Sequence, residues 1–353
     1  MEESGEPLIT LLTQERDVDY RLDGTHSYLN KPELDERSTS LEGDGINEAW
    51  RLKIAEWAYE VVDYFSFDRE AVAIALNYVD RFMVFHCENN DPKKLVNKRG
   101  YQLLTVTSLF LAIKLHGMTS DHNDACARPT LKVFVELSQN RFTEVDIERM
   151  ELQLLDTLKW RLNPPLSVNF IMCLLDLLPN WETRDGVHHS CRRLRSAIYE
   201  MARYMTELSI CVSDFSFLFT PSTIAYAAIL AAMDALEQDA NLYDIFPSYQ
   251  VLVSFFRNIS NATSLSPTME DIRKARSMFI DFCPNVFAEH NCSSPRSVNH
   301  MALVGNVQEA FIEHHYGGCN ERGSLVANWN DSRLWAGLST HWTKMNRYHF
   351  HFH

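Results

Sequence analysis

Catalysis needs reactive side chains at defined spacing, and this 353-residue sequence offers few of them. The stretch Asp121-His-Asn-Asp-Ala-Cys126 collects side chains of metal-ligand type, but its spacing fits neither a calcium loop nor a zinc site, so a solvated loop is expected. The ending His349-Phe-His-Phe-His353 could ligate a metal in principle, yet alternating histidines on a terminal segment read as adventitious. Neither a glycine-rich phosphate loop nor a nucleophile motif is present. The expectation is a protein with no catalytic residue, no metal and no cofactor, and not an enzyme. What remains is Lys114, set near the end of the apolar run from Tyr101 to Gly117. A buried ammonium is costly unless acceptors satisfy it.

That run is too short, and too interrupted by Gln102, Thr105, Thr107, Ser108 and Lys114, to read as a membrane span. It reads as a helix buried all round at the centre of a bundle, stopped by Gly117. A helix before it starts at the N-cap residue Asn47, with Trp50, Ile54, Trp57, Val61 and Phe65 as its apolar stripe and Lys53, Glu56, Glu60 and Asp63 as its wet face. Asp68 caps a second helix. A short helix over 130–138 and a longer one from Thr143 to Trp160 follow the central run, after which Leu162-Asn-Pro-Pro forces an extended linker. Five more helices follow, over 167–178, 188–211, 221–236, 249–259 and 267–282. The third of these is again apolar all round, with proline in its first turn. The order of helices therefore repeats: the expected fold is all-α, with a mobile tail over 1–45, two five-helix folds over 46–161 and 162–285, and a tail of unknown role over 286–353.

Composition agrees. Twelve glycines and twelve prolines are few for this length, which disfavours an all-β fold. A formal charge of -14 argues against bulk affinity for nucleic acid or an anionic membrane. The start Met1-Glu-Glu-Ser lacks the basic and apolar segments of a secretory leader, and the eight cysteines form no Cys-x-x-Cys pair, so reduced thiols in the nucleus and cytoplasm are expected.

Four stretches then become specific. Trp50-Arg-Leu-Lys-Ile-Ala-Glu-Trp57, Ala75-Leu-Asn-Tyr-Val-Asp-Arg-Phe82, Gln102-Leu-Leu with Ala112-Ile-Lys114, and Arg149-Met-Glu-Leu152 with Leu158-Lys-Trp-Arg161 resemble the cyclin box in order and spacing. Tyr204-Met-Thr-Glu-Leu-Ser209 followed by Thr220-Pro-Ser-Thr-Ile-Ala225 is similar to the C-terminal cyclin fold. The resemblance implies a regulatory subunit that binds and activates a cyclin-dependent serine/threonine kinase in cell-cycle progression, with a weak lean to the D-type and G1/S. It marks Arg51, Asp80, Leu103, Lys114 and Glu151: Arg51 with Asp80 as a structural ion pair, Leu103 as a core marker, and Lys114 with Glu151 as kinase-binding residues. A plain Lys114–Glu151 salt bridge is compatible with that role. Where most of the family carries an aromatic or apolar residue and two acids, this chain reads Leu115-His116-Gly117, placing Leu115 and His116 at the kinase edge with a changed charge.

Two further surfaces follow from the resemblance. Trp50, Ile54, Trp57, Glu60 and Gln102 match a shallow docking patch for Arg-x-Leu peptides of substrates or inhibitors, with core packing of the tryptophans as the alternative and Lys53 as a departure from the pattern. Leu11-Leu-Thr-Gln-Glu15 is similar to the element with which D-type cyclins engage retinoblastoma-like proteins, threonine replacing the cysteine. The rival reading is a transcription-associated protein resembling transcription factor IIB; it would need a basic face and usually a zinc ribbon, against which stand the charge of -14 and the unpaired cysteines.

Overall fold

The computed structural model describes residues 6–22, 29, 46–89, 97–116, 130–181, 188–237, 242 and 245–282. Twelve helices run through them: α1 (Glu6–Arg16), α2 (Glu48–Tyr64), α3 (Glu70–Asn89), α4 (Lys98–His116), α5 (Leu131–Leu137), α6 (Glu144–Thr157), α7 (Ser167–Leu175), α8 (His188–Cys211), α9 (Ser213–Leu218), α10 (Pro221–Glu237), α11 (Tyr249–Thr263) and α12 (Glu270–Phe282). Every regular element among the described residues is a helix, as expected of an all-α fold. The chain divides into two compact units, one carrying α2 to α6 and the other combining α1 with α7 to α12.

Side-chain capping sets several helix starts. The Asn47 side chain accepts from the Trp50 N–H at the head of α2, and Asp68 accepts from the Glu70 N–H at the head of α3. Thr143 and Asp146 form a reciprocal capping box on α6. Helix α6 ends at Thr157 and not at Trp160, because Lys159 and Trp160 take left-handed φ values of 51° and 60°. The Trp160 N–H turns back to the Leu155 carbonyl at 3.1 Å, a Schellman-type closure. Helix α7 likewise stops at Leu175, three residues short of the expected end.

Each unit is built on its third main helix. Helix α4 packs against α2, α3, α5 and α6, and α10 packs against α7, α8 and α12. Both hubs are nearly featureless in polarity: Leu104 to Ile113 of α4 and Ser222 to Met233 of α10 are all buried. Buried alanines at 225, 227, 228, 231 and 232 let three helices approach α10 closely.

Three expectations are corrected here. The segment Glu6–Arg16 is no tail but a helix whose Leu8 and Leu12 join the core of the unit containing α7 and α10. Eleven residues do not hold a helix alone, so tertiary burial of this two-turn apolar pattern makes α1. Leu103 is only partly buried, while its neighbour Leu104 takes the interior position. The run ending at Gly117 is not buried all round: Lys114 and Leu115 are exposed and His116 is partly so. The remainder of the 1–45 tail apart from residues 6–22 and 29, the stretches Asp121–Cys126 and His349–His353, and the C-terminal tail lie outside the described residues.

Candidate partner-binding site

The lysine that the sequence leaves unexplained ends up at an edge. Lys114 stands in the last turn of α4 beside α6, and its Nζ donates to Glu151 Oε1 at 2.8 Å. The ammonium also lies 5.5 Å from the Phe110 ring, one turn earlier, and Phe110 is held edge-on by Phe134 of α5. Lys114 is 49% exposed and Glu151 13%, so the carboxylate is recessed and the cation forward of it. One of three ammonium donors goes to Glu151, and the carboxylate uses a single oxygen for it. The pair can therefore give and accept further hydrogen bonds outward.

Apolar side chains stand around that polar centre. Leu115 is 48% exposed next to Lys114, and Leu152 is 67% exposed next to Glu151. Val145, Glu148 and Leu152, at i, i+3 and i+7, form one exposed strip along α6. A donor-acceptor pair rimmed by exposed leucines suits a partner backbone packed by its own apolar side chains. Leu152 and Val145 escaped the sequence reading, which followed the marked positions. Their signal was apolar residues on what the α6 periodicity makes the wet face.

A second network holds α3 to α2 and to the end of α6. Arg51 of α2 forms a two-pronged pair with Asp80 of α3: Nη2 donates to Oδ2 at 2.9 Å and Nη1 to Oδ1, with both side chains buried. One residue on, Arg81 donates to the Arg161 carbonyl at 2.8 Å and the Leu158 carbonyl at 3.4 Å. Its guanidinium thus sits at the negative end of the α6 dipole. Tyr78 donates its hydroxyl to the Leu162 carbonyl, and His116 Nε2 lies 2.9 Å from the same oxygen. Tyr78, Asp80 and Arg81 therefore tie α3 to α2 on one side and to the end of α6 on the other. His116 is occupied by this internal contact, while Leu115 faces out.

The expected peptide-docking patch is not a surface. Trp50, Ile54, Trp57 and Gln102 are buried and only Glu60 is partly exposed. The spacing of Trp50, Ile54, Trp57 and Val61 is the inward stripe of α2, which packs on α3 and α4, so the core-packing alternative holds. Gln102, 2% exposed, finds no hydrogen-bond partner for either amide atom among the described residues. Burial raises the Glu56 carboxyl and lowers the Lys53 ammonium from their usual ranges, and each partly offsets the shift of the other. The Leu11–Glu15 element is corrected as well: it is helical, Leu12 is in the core, and Glu15 is engaged by Ser222.

No group of three or more metal-ligating side chains gathers among the described residues, and no helix there is long and apolar enough to cross a membrane. Residues 23–163 match the family described as cyclin, N-terminal domain. Over 229 residues the chain is 28% identical to G2/mitotic-specific cyclin-B1 of Oryzias javanicus, covering 62% of this chain and 48% of that protein. It is 28% identical to Cyclin-A1-2 of Arabidopsis thaliana, covering 60% and 41%, and 30% identical to Cyclin-D2-2 of Oryza sativa subsp. japonica, covering 55% and 48%. The chain thus spans about half the length of these curated relatives, and three subtypes lie at nearly equal distance. Residues 23–163, which carry α2 to α6, are thus a cyclin N-terminal domain, and the likeness to B-, A- and D-type cyclins runs over a longer stretch than that domain.

Proposed function

We propose that this protein is the regulatory subunit of a cyclin-dependent serine/threonine kinase, docking through the Lys114–Glu151 edge of α4 and α6. The observation that carries this reading is a half-exposed ion pair with outward hydrogen-bonding capacity, rimmed by Leu115 and Leu152. The ammonium engages a carbonyl and the carboxylate an N–H on the kinase backbone, so recognition does not demand particular partner side chains. Activation is a population shift: binding favours the kinase conformation in which the mobile helix brings its glutamate to the nucleotide-orienting lysine, and the cyclin contributes no reacting group. The place of action is the nucleus and cytoplasm, and the process is cell-cycle progression. G1/S timing is the finer reading, resting on the D-like Leu158–Arg161 segment, and an abundance peak in mitosis would overturn it.

The test is Lys114→Ala with Glu151→Ala in the full chain. Kinase co-purification and activation are expected to disappear, a loss of about 2–5 kcal/mol in binding. The helical melting transition should stay in place. A double variant that still activates its kinase normally removes this interface.

A further inference from the structure

The first turn of α10 has an incomplete set of internal hydrogen bonds. Pro221 has no N–H to satisfy. Thr220 caps the helix: its Oγ1 accepts from the Thr223 N–H at 3.3 Å and its carbonyl from the Ile224 N–H at 3.0 Å. Only the Ser222 N–H in this turn has no acceptor in its own helix, although Ser222 is buried. That acceptor comes from 207 positions earlier: Glu15 Oε1 takes the Ser222 N–H at 2.7 Å, and Glu15 Oε2 takes the Ser222 hydroxyl at 2.8 Å. One turn and two turns back along α1, Leu12 and Leu8 enter the core shared by α7 and α10, and Leu11 packs against it. The opposite face of α1, with Glu6, Ile9, Thr10, Thr13 and Arg16, is exposed.

We propose that α7 and the head of α10 form a helix-docking groove that reads the pattern Leu-x3-Leu-x2-Glu, and that α1 occupies it in cis as a releasable strap latched by Glu15. The groove is specific because it has two unlike parts, an apolar floor for two leucines and one backbone donor left over at the helix start. Release is accessible because α1 is short, cannot persist as a free helix, and is held chiefly by Leu8, Leu11, Leu12 and one cap. A partner helix carrying the same pattern would take the same place.

The latch is a hydrogen-bonded cap and not primarily a charge. Burial pushes the Glu15 carboxyl up against the lowering effect of the Ser222 bonds and of Arg16 and Arg21. A glutamine there can still accept from the Ser222 N–H while its amide donates to Ser222 Oγ. Glu15 is thus a positioning residue whose conservative replacement should work.

Hydrogen exchange on the full chain tests this. In the wild type, α1 amides should exchange by local opening, faster than those of α7 and α10. Glu15→Ala should speed α1 exchange by about tenfold, the size expected for loss of a helix cap with a charged partner, and leave α7 and the body of α10 unchanged. Glu15→Gln should stay within about twofold of wild type. A synthetic peptide of residues 6–16, in excess, should raise α1 exchange in the wild-type chain in proportion to its occupancy, and the same peptide with Glu15→Ala should not. Exchange of α1 at one common rate with α10, an α1 rate indifferent to Glu15→Ala, or no response to the wild-type peptide would each overturn the proposal.

Discussion

Arg51 and Asp80 are the side chains whose removal the fold should tolerate least. Both are buried, and each satisfies the other through a two-pronged contact. Truncating one leaves an uncompensated charge inside, so Arg51→Ala or Asp80→Ala should lower stability by about 3–5 kcal/mol, measured by urea unfolding. An unchanged midpoint would mean that the pair does not hold α2 to α3. Glu60 behaves differently. Burial, and next the neighbouring Glu56 carboxylate, push its carboxyl up to about 7, with Lys53 partly opposing. The folded state keeps a proton that the unfolded chain gives up near 4.5, so the contribution of this group to stability is complete below that value. It is lost as pH rises through about 7. Between those limits wild-type stability should fall with pH by up to about 1.4 kcal/mol per unit from this one group, and Glu60→Gln should flatten that slope. Equal slopes in the two proteins would place the titration elsewhere.

Among the elements, the sequence is most legible where periodicity and capping chemistry coincide. Asn47 and Thr143 accept from the helix N–H groups expected of N-caps, and the boundaries of α8 match the reading to the residue. Legibility fails at the ends that close without glycine. Gln139, Lys159, Trp160 and Ser264 all take left-handed φ values that no propensity rule assigns to them. Ser264 is the clearest case, at φ 67°, closing α11 through a bond from its N–H to the Ser260 carbonyl. Ser264→Gly should therefore raise stability by about 0.5–1 kcal/mol, seen as a higher melting temperature, whereas Ser264→Val should lower it. Helix α1 was illegible for another reason: two buried leucines and a glutamate in a polar surrounding look like a tail until a groove is there to receive them. Helix α9 is absent from the reading because six residues between Val212 and Phe219 are too few to show a helical period. Gln102 presents an unpaired buried amide for which the structure supplies no reason.

For the molecule as a whole, a formal charge of -14 weighs against duplex nucleic acid as a partner. The purified chain should show no salt-dependent retention of duplex DNA in a gel-shift titration; binding that weakens linearly with the logarithm of salt would revive the transcription-factor reading. By itself the sequence determined the class of fold, because two largely apolar runs of helix length, around Phe110 and Ala228, read as the buried hubs of helical bundles. It also determined the residues that mark the family, since those are a matter of order and spacing. Only the tertiary structure decided which of them are reachable. Helix periodicity tells which residues share a face, but not which face is covered. It took the packing of α2 on α3 and α4 to bury Trp50 and Trp57, and that of α1 beside α7 to convert Leu11–Glu15 from a presumed free motif into a strap. The same packing, at the meeting of α4 with α6, left Lys114 at the edge with its carboxylate behind it.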